Sequence, residues 1–312
     1  LGLTLNLLLV HLILNATRTK IGSYKYQIVF VLNDIAYSSY SYVMQEKMIT
    51  KGHTFTLFLT GAYGDNLHLV CLYASLFSLI LVIVSFNFLY RYWAVVSPHR
   101  IQLFSTVWFP LFLVLVGLTE FAAWHCNSYF LYAASDEARA DLTHEFARKY
   151  GLDSRTRAMI VGDYWRNGHY NAQPLIGLAI FCGILCSGLA FMVFCSVAIL
   201  THLSHGTSIS HKTRRLQYSL FRMLAVQTLI PLVFVHSDAG QVLVLPAFGI
   251  DSSVFDWCSM IVSFFPPLDA IAVILLMRDY RDTITALFVC RFWNPSANQC
   301  ASSIFMSRAT TV

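Results

Sequence analysis

Three polar side chains interrupt apolar stretches of the chain at matching positions. Asn6, Asp34 and Asp269 each lie nine positions from a residue that ends the surrounding apolar run. The residues that end these runs are Asn15, Lys25 and Arg278. In helices of one bundle, this spacing places all three side chains about 13 Å from a common boundary. They could form a hydrated polar cluster in which at least one carboxyl holds a proton. A structural hydrogen-bond network without a switching role is the alternative.

Prolines interrupt two of the apolar runs at places where a helix could bend. Pro231 lacks an N–H and would leave the carbonyl of Gln227 unpaired. Pro266 and Pro267 would do the same within their own run. Because lipid offers no replacement partner for a freed carbonyl, such kinks suit helices that line a cavity. The three prolines are therefore candidate pivots for helix motion, with static kinks as the alternative.

The composition excludes several classes of protein. Of the 312 residues, 57% are hydrophobic and only 12% are charged, with a mean hydropathy of +0.60. A soluble domain of this size would carry about 25% charged residues. An ordinary soluble enzyme, a disordered tail and a nucleic-acid binder are therefore excluded, and we expect lipid to be the solvent for most of the chain.

Seven apolar runs approach or exceed the length of about 20 residues that crosses a bilayer. They cover residues 1–14, 26–44, 66–90, 104–124, 174–200, 221–244 and 254–277. The first begins within an apolar run at Leu1, so we expect it to be truncated at its N-terminal end. The sequence therefore predicts an all-α, seven-transmembrane helix bundle over residues 1–277 and a cytoplasmic tail over residues 278–312.

The distribution of Lys and Arg predicts how the helices face. Basic residues of the short connections collect on one side of the predicted membrane, whereas the short connections on the other side hold only Lys47 and Lys51. Since basic residues favour the cytoplasmic side, we expect the N-terminus outside and the C-terminus in the cytoplasm. Asn15 begins an Asn-Ala-Thr glycosylation pattern that would then face the cytoplasm, so we expect it to be unmodified.

Two cysteines are placed for a bond on the predicted outer side. Cys71 lies near the outer end of span three, and Cys126 opens the long loop over residues 125–173. The extracellular side favours oxidation, so a disulfide between them is one prediction and two free thiols are the alternative. The chain has no CxxC motif, and we expect neither a metal site nor a cofactor.

The predicted tail begins with a segment typical of a short amphipathic helix along the membrane. Apolar residues recur at helical spacing at Ile284, Leu287 and Phe288 within residues 278–292. Cys290 in this segment is a candidate for palmitoylation, and an unmodified thiol is the alternative.

Several stretches of the sequence resemble those of a known receptor family. They are residues 21–26 (IGSYKY), 90–95 (YRYWAV), 217–231 (ending in QTLIP), 265–269 (FPPLD) and 278–281 (RDYR). In order and spacing they are similar to the nematode serpentine chemoreceptors of the Str class, which are seven-helix G-protein-coupled receptors. The resemblance covers nearly the whole chain.

The resemblance implies a function in chemical sensing. Such receptors are multi-pass proteins of the plasma membrane, often of sensory cilia, and they are not enzymes. They bind small chemical ligands, volatile ones among them, from outside and activate heterotrimeric G proteins. The implied partners are a small-molecule ligand, a G protein and membrane lipid, with no nucleic acid.

The resemblance also implies roles for individual residues. Arg91 would latch the inner ends of spans three and six, although Tyr90 replaces the acidic neighbour found in rhodopsin-like receptors. The candidate G-protein contacts are Tyr90, Arg91, Tyr92, Lys212, Arg214 and Arg215. The candidate ligand contacts, for which plain packing is an equal alternative, are Tyr73, Phe77, His236, Asp238, Asp256 and Trp257. Ligand binding would favour a state in which span six swings about Pro231.

Two other classes of membrane protein compete with this interpretation. A transporter or channel could use Asp34 and Asp269 to relay protons or cations, but the two halves of the sequence show no repeat and the number of spans is odd. A membrane enzyme is less supported, because His202, His205 and His211 lack the i, i+4 spacing of a helical zinc protease.

Overall fold

The computed structural model describes residues 1–15, 25–61, 63–205, 211–250, 262, 264–277 and 280–285 of the chain. Its helices are α1 (Gly2–Asn15), α2 (Lys25–Met44), α3 (Leu67–Val96), α4 (Trp108–Leu131), α5 (Asp136–Tyr150), α6 (Ala172–His205), α7 (His211–Pro231), α8 (Ser237–Val244) and α9 (Phe265–Leu276). Its strands are β1 (Glu46–Lys51), β2 (Thr54–Leu59), β3 (Met159–Asp163), β4 (Trp165–Arg166) and β5 (His169–Tyr170). Short 3₁₀ segments lie at Pro98–Ser105 and Leu245–Phe248.

A helix lies at each of the seven predicted spans. Within the part of the chain that the structure describes, four helical stretches are long and apolar enough to cross a membrane: Leu67–Val96, Trp108–Leu131, Ala172–His205 and Thr213–Phe234. Helices α1 and α9 are apolar but shorter within the described residues. Helix α2 has 20 residues but is less apolar, because Asn33, Asp34 and several Ser and Tyr interrupt it.

Helix α3 forms the centre of the bundle. Within its apolar 18-residue window 61% of the residues are buried, against 17% in α4 and in α6. It packs against α2, α4, α6 and α7. Asn66 caps its start, since the side chain accepts a hydrogen bond from the N–H of His68 at 2.9 Å. Helices α4 and α6 leave most of their apolar surface exposed, as expected where lipid covers it.

The helix at span six is interrupted at Pro231, as the sequence predicts. Helix α7 ends there, a π-helical turn follows over Leu232–His236, and α8 continues the path. Proline has no N–H to donate, and the wider turn accommodates the missing hydrogen bond. The ring nitrogen Nδ1 of His236 lies 3.1 Å from the carbonyl oxygen of Pro231. The interruption is present, and its use as a pivot stays a prediction.

The prolines of span seven lie at the start of a helix. Helix α9 begins at Phe265, so Pro266 and Pro267 occupy its first turn. The N–H groups of a first turn have no partner within the helix, and proline is well tolerated there. Val262 is also helical, and residues 251–261 and 263 lie outside the described residues. The kink at Pro266 and Pro267 and its use as a pivot therefore stay predictions.

A folded unit that was not predicted from the sequence covers one end of the bundle. Strands β1 and β2 form an antiparallel hairpin, and β3 pairs antiparallel with β2. Successive side chains of β2 alternate between two faces. Phe55, Leu57 and Leu59 pack against the helix bundle, whereas Phe58 packs against α5. The sheet therefore lies between the bundle and α5.

Helix α5 has clear start and stop signals. The Ser135 hydroxyl accepts a hydrogen bond from the N–H of Ala138, and Gly151 ends the helix with a φ of 65°. The rings of Phe146 and Phe58 lie 4.3 Å apart between their centroids. We call the three-stranded sheet together with α5 the roof, and the end of the bundle beneath it the roof end.

The predicted amphipathic helix after span seven is described only in part. Residues 280–285 are helical, and Tyr280 and Thr283 are buried. Residues 278–279 and 286–292, with Cys290, lie outside the described residues.

Candidate functional site

A pocket of about 60 Å³ lies between the helix bundle and the sheet. Helices α3, α4, α6 and α8 form its walls, and side chains from all three strands of the sheet close it. The side chains from the sheet are Met48, Phe55, Leu57 and Ile160. The side chains from α3, α4 and α6 include Tyr73, Phe77, Trp124, Ser128 and Phe181. Its lining is mostly apolar, as is usual for small-molecule sites.

Aromatic rings shape the walls of this pocket. Trp124 stacks on Phe181 with ring centroids 4.2 Å apart and an interplanar angle of 20°. The ring of Phe77 lies 6.1 Å from that of Trp124 and 5.2 Å from the imidazole of His236. The pocket wall is thus in contact with the π-helical turn that follows Pro231.

A buried polar group lies beside the pocket at the start of the sheet. The Tyr73 hydroxyl donates to Oε1 of Glu46 at 3.4 Å, and the hydroxyls of Tyr73 and Tyr37 lie 2.7 Å apart. Only 5% of Glu46 is exposed, and this burial raises the pKa of its carboxyl to about 7. Glu46 therefore connects the roof to α2 and α3 through two tyrosines.

Part of the predicted ligand site coincides with this pocket. Tyr73 and Phe77 line it, and His236 lies against Phe77 as part of a second small cavity beneath. The side chain of Asp238 and all of Asp256 and Trp257 lie outside the described residues.

The contributions of α4 and of the sheet to the pocket were not among the predicted ligand contacts. Trp124 and Ser128 stand four residues apart on α4, and the residues of β2 alternate as in a strand buried on one face. The alternation over residues 54–59 is the signal that could have revealed the sheet. Nothing in the sequence pairs residues 159–163 with this strand.

The other end of α3 carries the predicted G-protein contacts, and we call it the Arg91 end. Arg91 is buried with its guanidinium carbon 6.0 Å from the centre of the Tyr90 ring, and Tyr90 packs edge-on against Phe104 at 5.0 Å. Arg214 is half-buried and Arg215 is exposed near the start of α7. The side chain of Lys212 lies outside the described residues.

A small aliphatic cluster joins three helices at the Arg91 end. Val95 of α3 packs with Ile199 and Leu203 of α6, and Tyr92 of α3 and Phe221 of α7 pack against them. Tyr92 also contacts Phe194, with ring centroids 5.8 Å apart. Any movement of α7 away from α3 must therefore separate these side chains.

The three polar residues that share a predicted depth are brought into one buried zone. Asn6, Asp34 and Asp269 are all 0% exposed. The Asn6 amide donates to the carbonyl of Gly2 at 3.0 Å and to the carbonyl of Pro266, one turn from Asp269, at 3.2 Å. The carboxyls of Asp34 and Asp269 lie close enough to interact electrostatically. Helices α1, α2 and α9 thus contribute to one polar cluster.

The predicted bridge between Cys71 and Cys126 is not formed in the structure. Both are free thiols, Cys71 buried on α3 and Cys126 exposed on α4. They lie close enough to interact electrostatically.

A bundle of membrane-length helices, with an apolar pocket at one end and basic residues at the other, is the arrangement of a seven-helix membrane receptor. The chain belongs to the Str family of serpentine chemoreceptors, since the family model described as "Serpentine type 7TM GPCR chemoreceptor Str" matches residues 1–285. This confirms the family that the sequence motifs indicated.

Nematode receptors of this kind match over most of the chain. "Serpentine receptor class r-10" of Caenorhabditis elegans is 26% identical, with 99% of this chain and 93% of that protein covered. "G-protein coupled receptor str-33" of the same species is 26% identical over 92% of this chain and 88% of that protein. "Serpentine receptor class J-38" is 28% identical over 93% and 89%, respectively. The family is one of membrane receptors and not of enzymes, which also weighs against the transporter or channel alternative.

Proposed function

We propose that this protein is a chemosensory receptor of the plasma membrane that binds a small molecule beneath the roof and activates a heterotrimeric G protein at the Arg91 end. The observation that carries the proposal is the apolar pocket on the same helix as Arg91. Arg91 follows Tyr73 by 18 positions, which corresponds to a rise of about 27 Å along α3. That distance separates an outer ligand site from an inner coupling site across most of a bilayer.

The basic residues support one orientation of the bundle. Lys47 and Lys51 lie in the sheet at the roof end, whereas Arg91, Arg214 and Arg215 lie at the opposite end. The positive-inside rule then places the roof outside the cell and the Arg91 end in the cytoplasm. A protease or antibody that reaches an epitope tag inserted after Gly151 in intact cells would support this orientation.

The contact between Phe77 and His236 supports a route from ligand to helix movement. Phe77 lines the pocket, and His236 lies on the π-helical turn beside Pro231. A ligand that contacts Phe77 differently in two states of α7 and α8 would shift the balance between them. Separation of the cluster around Leu203 would then open the Arg91 end to a segment of the G protein.

Substitution of Arg91 tests the coupling role. In Arg91→Ala, we expect ligand-evoked G-protein activation to fall at least tenfold while binding beneath the roof is retained, because the change lies about 27 Å from the pocket. Activation would be measured by a G-protein dissociation sensor with the most potent compound of an odorant panel, at matched surface expression. Arg100→Ala, at an exposed position of the same end, is the control. Unchanged signalling by Arg91→Ala would show that the coupling assignment is wrong.

The subcellular localisation is a separate part of the proposal. By family resemblance we place the receptor in sensory cilia. A fluorescently tagged receptor expressed in nematode chemosensory neurons should concentrate at the ciliary membrane. Uniform labelling of the cell body and axon would argue against a ciliary localisation.

A further inference from the structure

We propose that a groove on the lipid-facing side of α3, α4 and α6 binds a membrane-dissolved amine, whose nitrogen pairs with the Glu120 carboxyl while its apolar body lies along the helices. Of the described residues, none lines both this groove and the pocket beneath the roof. The groove is therefore a second site, and its binding of an amine does not depend on the proposed signalling.

Glu120 lies deep within the membrane-spanning part of α4. It is 12 positions after Trp108 and nine before Tyr129, and aromatic residues of these types are common at the two interfaces of a bilayer. The corresponding rises are about 18 and 14 Å, so Glu120 is near the middle of a hydrocarbon core about 30 Å thick. The sequence of α4 contains no other Asp, Glu, Lys or Arg. A carboxyl at this depth is costly, and such residues are commonly functional.

The Glu120 carboxyl has no partner within the described part of the protein. Its side chain is half-buried in the wall of the groove. No hydrogen bond or ion pair joins it to another described residue, and no described charged group acts on it. Hydrocarbon offers a carboxyl neither donors nor counterions. Glu120 would therefore gain most from a ligand that brings its own hydrogen-bond donors.

The groove has the size and lining of a small-molecule site. Its volume is about 380 Å³, and such sites usually measure about 300–1,000 Å³. Apolar side chains of all three helices form most of its walls, among them Leu81, Phe86, Phe112 and Phe191. An alkyl or aryl body can therefore lie against the helices while a polar end reaches Glu120.

The other polar side chains among the described residues of the groove are Ser85 and Ser187. Each hydroxyl donates within its own helix, Ser85 to the carbonyl of Leu81 and Ser187 to that of Ile184, both at 2.8 Å. Their protons are thus engaged, while their oxygens can still accept, and an ionised Glu120 only accepts. The polar part of the groove therefore suits a ligand that donates hydrogen bonds.

An amine matches this arrangement in charge and in hydrogen bonding. A protonated amine carries several donors and neutralises a carboxylate. An alcohol supplies one donor without a charge, and an anionic ligand would be repelled by Glu120. A phospholipid headgroup stays at the interface and does not reach the depth of Glu120. The groove therefore favours a lipophilic amine over these alternatives.

Probes of equal chain length test this preference. They are octylamine, 1-octanol and octanoate, and binding is measured as thermal stabilisation of the full chain in lipid nanodiscs that hold one copy each. Because every probe also partitions into lipid, the wild-type chain is compared with Glu120→Gln at each probe concentration. We expect octylamine to bind the wild type at least tenfold more tightly than the variant, and the other two probes to differ by less than threefold. Equal octylamine binding by both chains, or an equally large difference for 1-octanol, would overturn the proposal.

Two further variants separate the shape of the groove from its carboxyl. Ser187→Phe narrows the groove and keeps Glu120, so octylamine binding should fall at least tenfold. Thr119→Val, at an exposed position whose hydroxyl bonds to the carbonyl of Leu115, is the matched control and should bind octylamine as the wild type does. The melting temperature without a probe shows that each variant is folded. Octylamine binding that Ser187→Phe leaves unchanged would place the amine outside the groove and overturn the inference.

A second copy of the chain is the competing partner of Glu120, because a polar side chain in lipid also promotes association between helices. The oligomeric state of the wild type and of Glu120→Gln is measured in cell membranes by photobleaching of single fluorescent receptors. The same distribution of monomers and oligomers in both chains would support the amine site. Dimers that Glu120→Gln dissociates and octylamine leaves intact would assign Glu120 to an interface between copies and overturn the inference.

Discussion

The two ends of α3 are built in different ways. At the roof end, the pocket is closed by a sheet, and α5 covers the far side of that sheet. At the Arg91 end, α3, α6 and α7 meet through the small cluster around Val95, Ile199 and Leu203. One end therefore has two layers of structure outside the bundle, whereas at the other end α6 and α7 meet α3 through an aliphatic cluster.

This difference assigns the two ends to different tasks. Polar groups tie the roof together: the Arg139 guanidinium donates to the carbonyls of Ser154 and Arg157 at 3.1 and 2.6 Å. Such bonds favour one arrangement because separation would leave buried partners unpaired. Aliphatic contacts are less directional and can be exchanged between two packings. We therefore expect the roof to determine ligand affinity and the Arg91 end to determine the balance between inactive and active states.

The largest effect is expected from Phe58→Ala. Phe58 is fully buried between the sheet and α5, in contact with Phe146 and Tyr150. Loss of the ring should destabilise the roof by about 3–5 kcal/mol. We expect faster hydrogen exchange in residues 46–59 and 159–163, with ligand potency lowered more than tenfold. Tyr63→Ala, at an exposed aromatic position of the same end, should leave both close to wild type.

The corresponding loss of a buried side chain at the Arg91 end should raise signalling, whereas Phe58→Ala should lower ligand potency. Leu203 is fully buried in the aliphatic cluster, and Leu203→Ala should cost the closed packing about 3 kcal/mol. If the open state lacks these contacts, ligand-independent signalling rises while ligand affinity is kept or increased. Basal G-protein activity at matched surface expression is the measurement, and Leu200→Ala, at an exposed position of the same helix, is the control. Lower basal activity in Leu203→Ala would contradict the proposal that the Arg91 end determines the balance between inactive and active states.

The helix bundle could be predicted from the sequence because its signal is local. A run of apolar residues reports burial in lipid wherever its neighbours are, so the helices around Leu81 and Leu189 are evident from composition alone. The depth of Asn6, Asp34 and Asp269 also follows from counting along single helices. Their meeting in one buried zone agrees with that count.

The roof could not be predicted in the same way. Strand β3 pairs with β2 across about a hundred intervening residues, and no local pattern specifies such a partner. The start and stop of α5 at Ser135 and Gly151 were available in the sequence, but a long loop was the simpler interpretation. The pocket depends on the rotation of α4 and on the position of the sheet. Trp124 and Ser128 could therefore be assigned to its lining only from the structure.

The burial of Glu46 gives the roof end a pH dependence. An unfolded glutamate ionises near pH 4.5, whereas burial raises the folded pKa of Glu46 to about 7. The folded state therefore holds the proton longer, and the free energy of unfolding falls as pH rises from 4.5 to 7. The loss is complete above that window and amounts to about 3 kcal/mol at most.

Glu46→Gln should abolish this dependence. An amide is similar in size and neutral at every pH, so thermal unfolding of the variant should be flat between pH 5 and 8 in the contribution from this site and higher than wild type at about pH 8. Glu137→Gln, at a position of α5 whose side chain is 76% exposed, should keep the wild-type profile. A profile for Glu46→Gln that still falls across the window would assign the pH dependence to another group.

The smallest effect is expected from Arg166→Ala. Its guanidinium lies 2.9 Å from Glu137, 2.6 Å from Asp163 and 3.6 Å from Asp141, so it ties α5 to the edge of the sheet. Two of these carboxylates are largely exposed, and water and salt screen such pairs. We expect a loss of about 1 kcal/mol in roof stability by hydrogen exchange, and less at 1 M salt.

Arg148→Ala removes a pair within α5 alone and is the matched control, with little expected change in the contact between α5 and the sheet. The size of the Arg166 effect decides how the roof is held. A loss comparable to that of Phe58→Ala would mean that charge pairing at the rim, and not the aromatic layer, fixes α5 on the sheet. Ligand affinity would then depend on ionic strength, because the pairs that close the roof would weaken as salt is added.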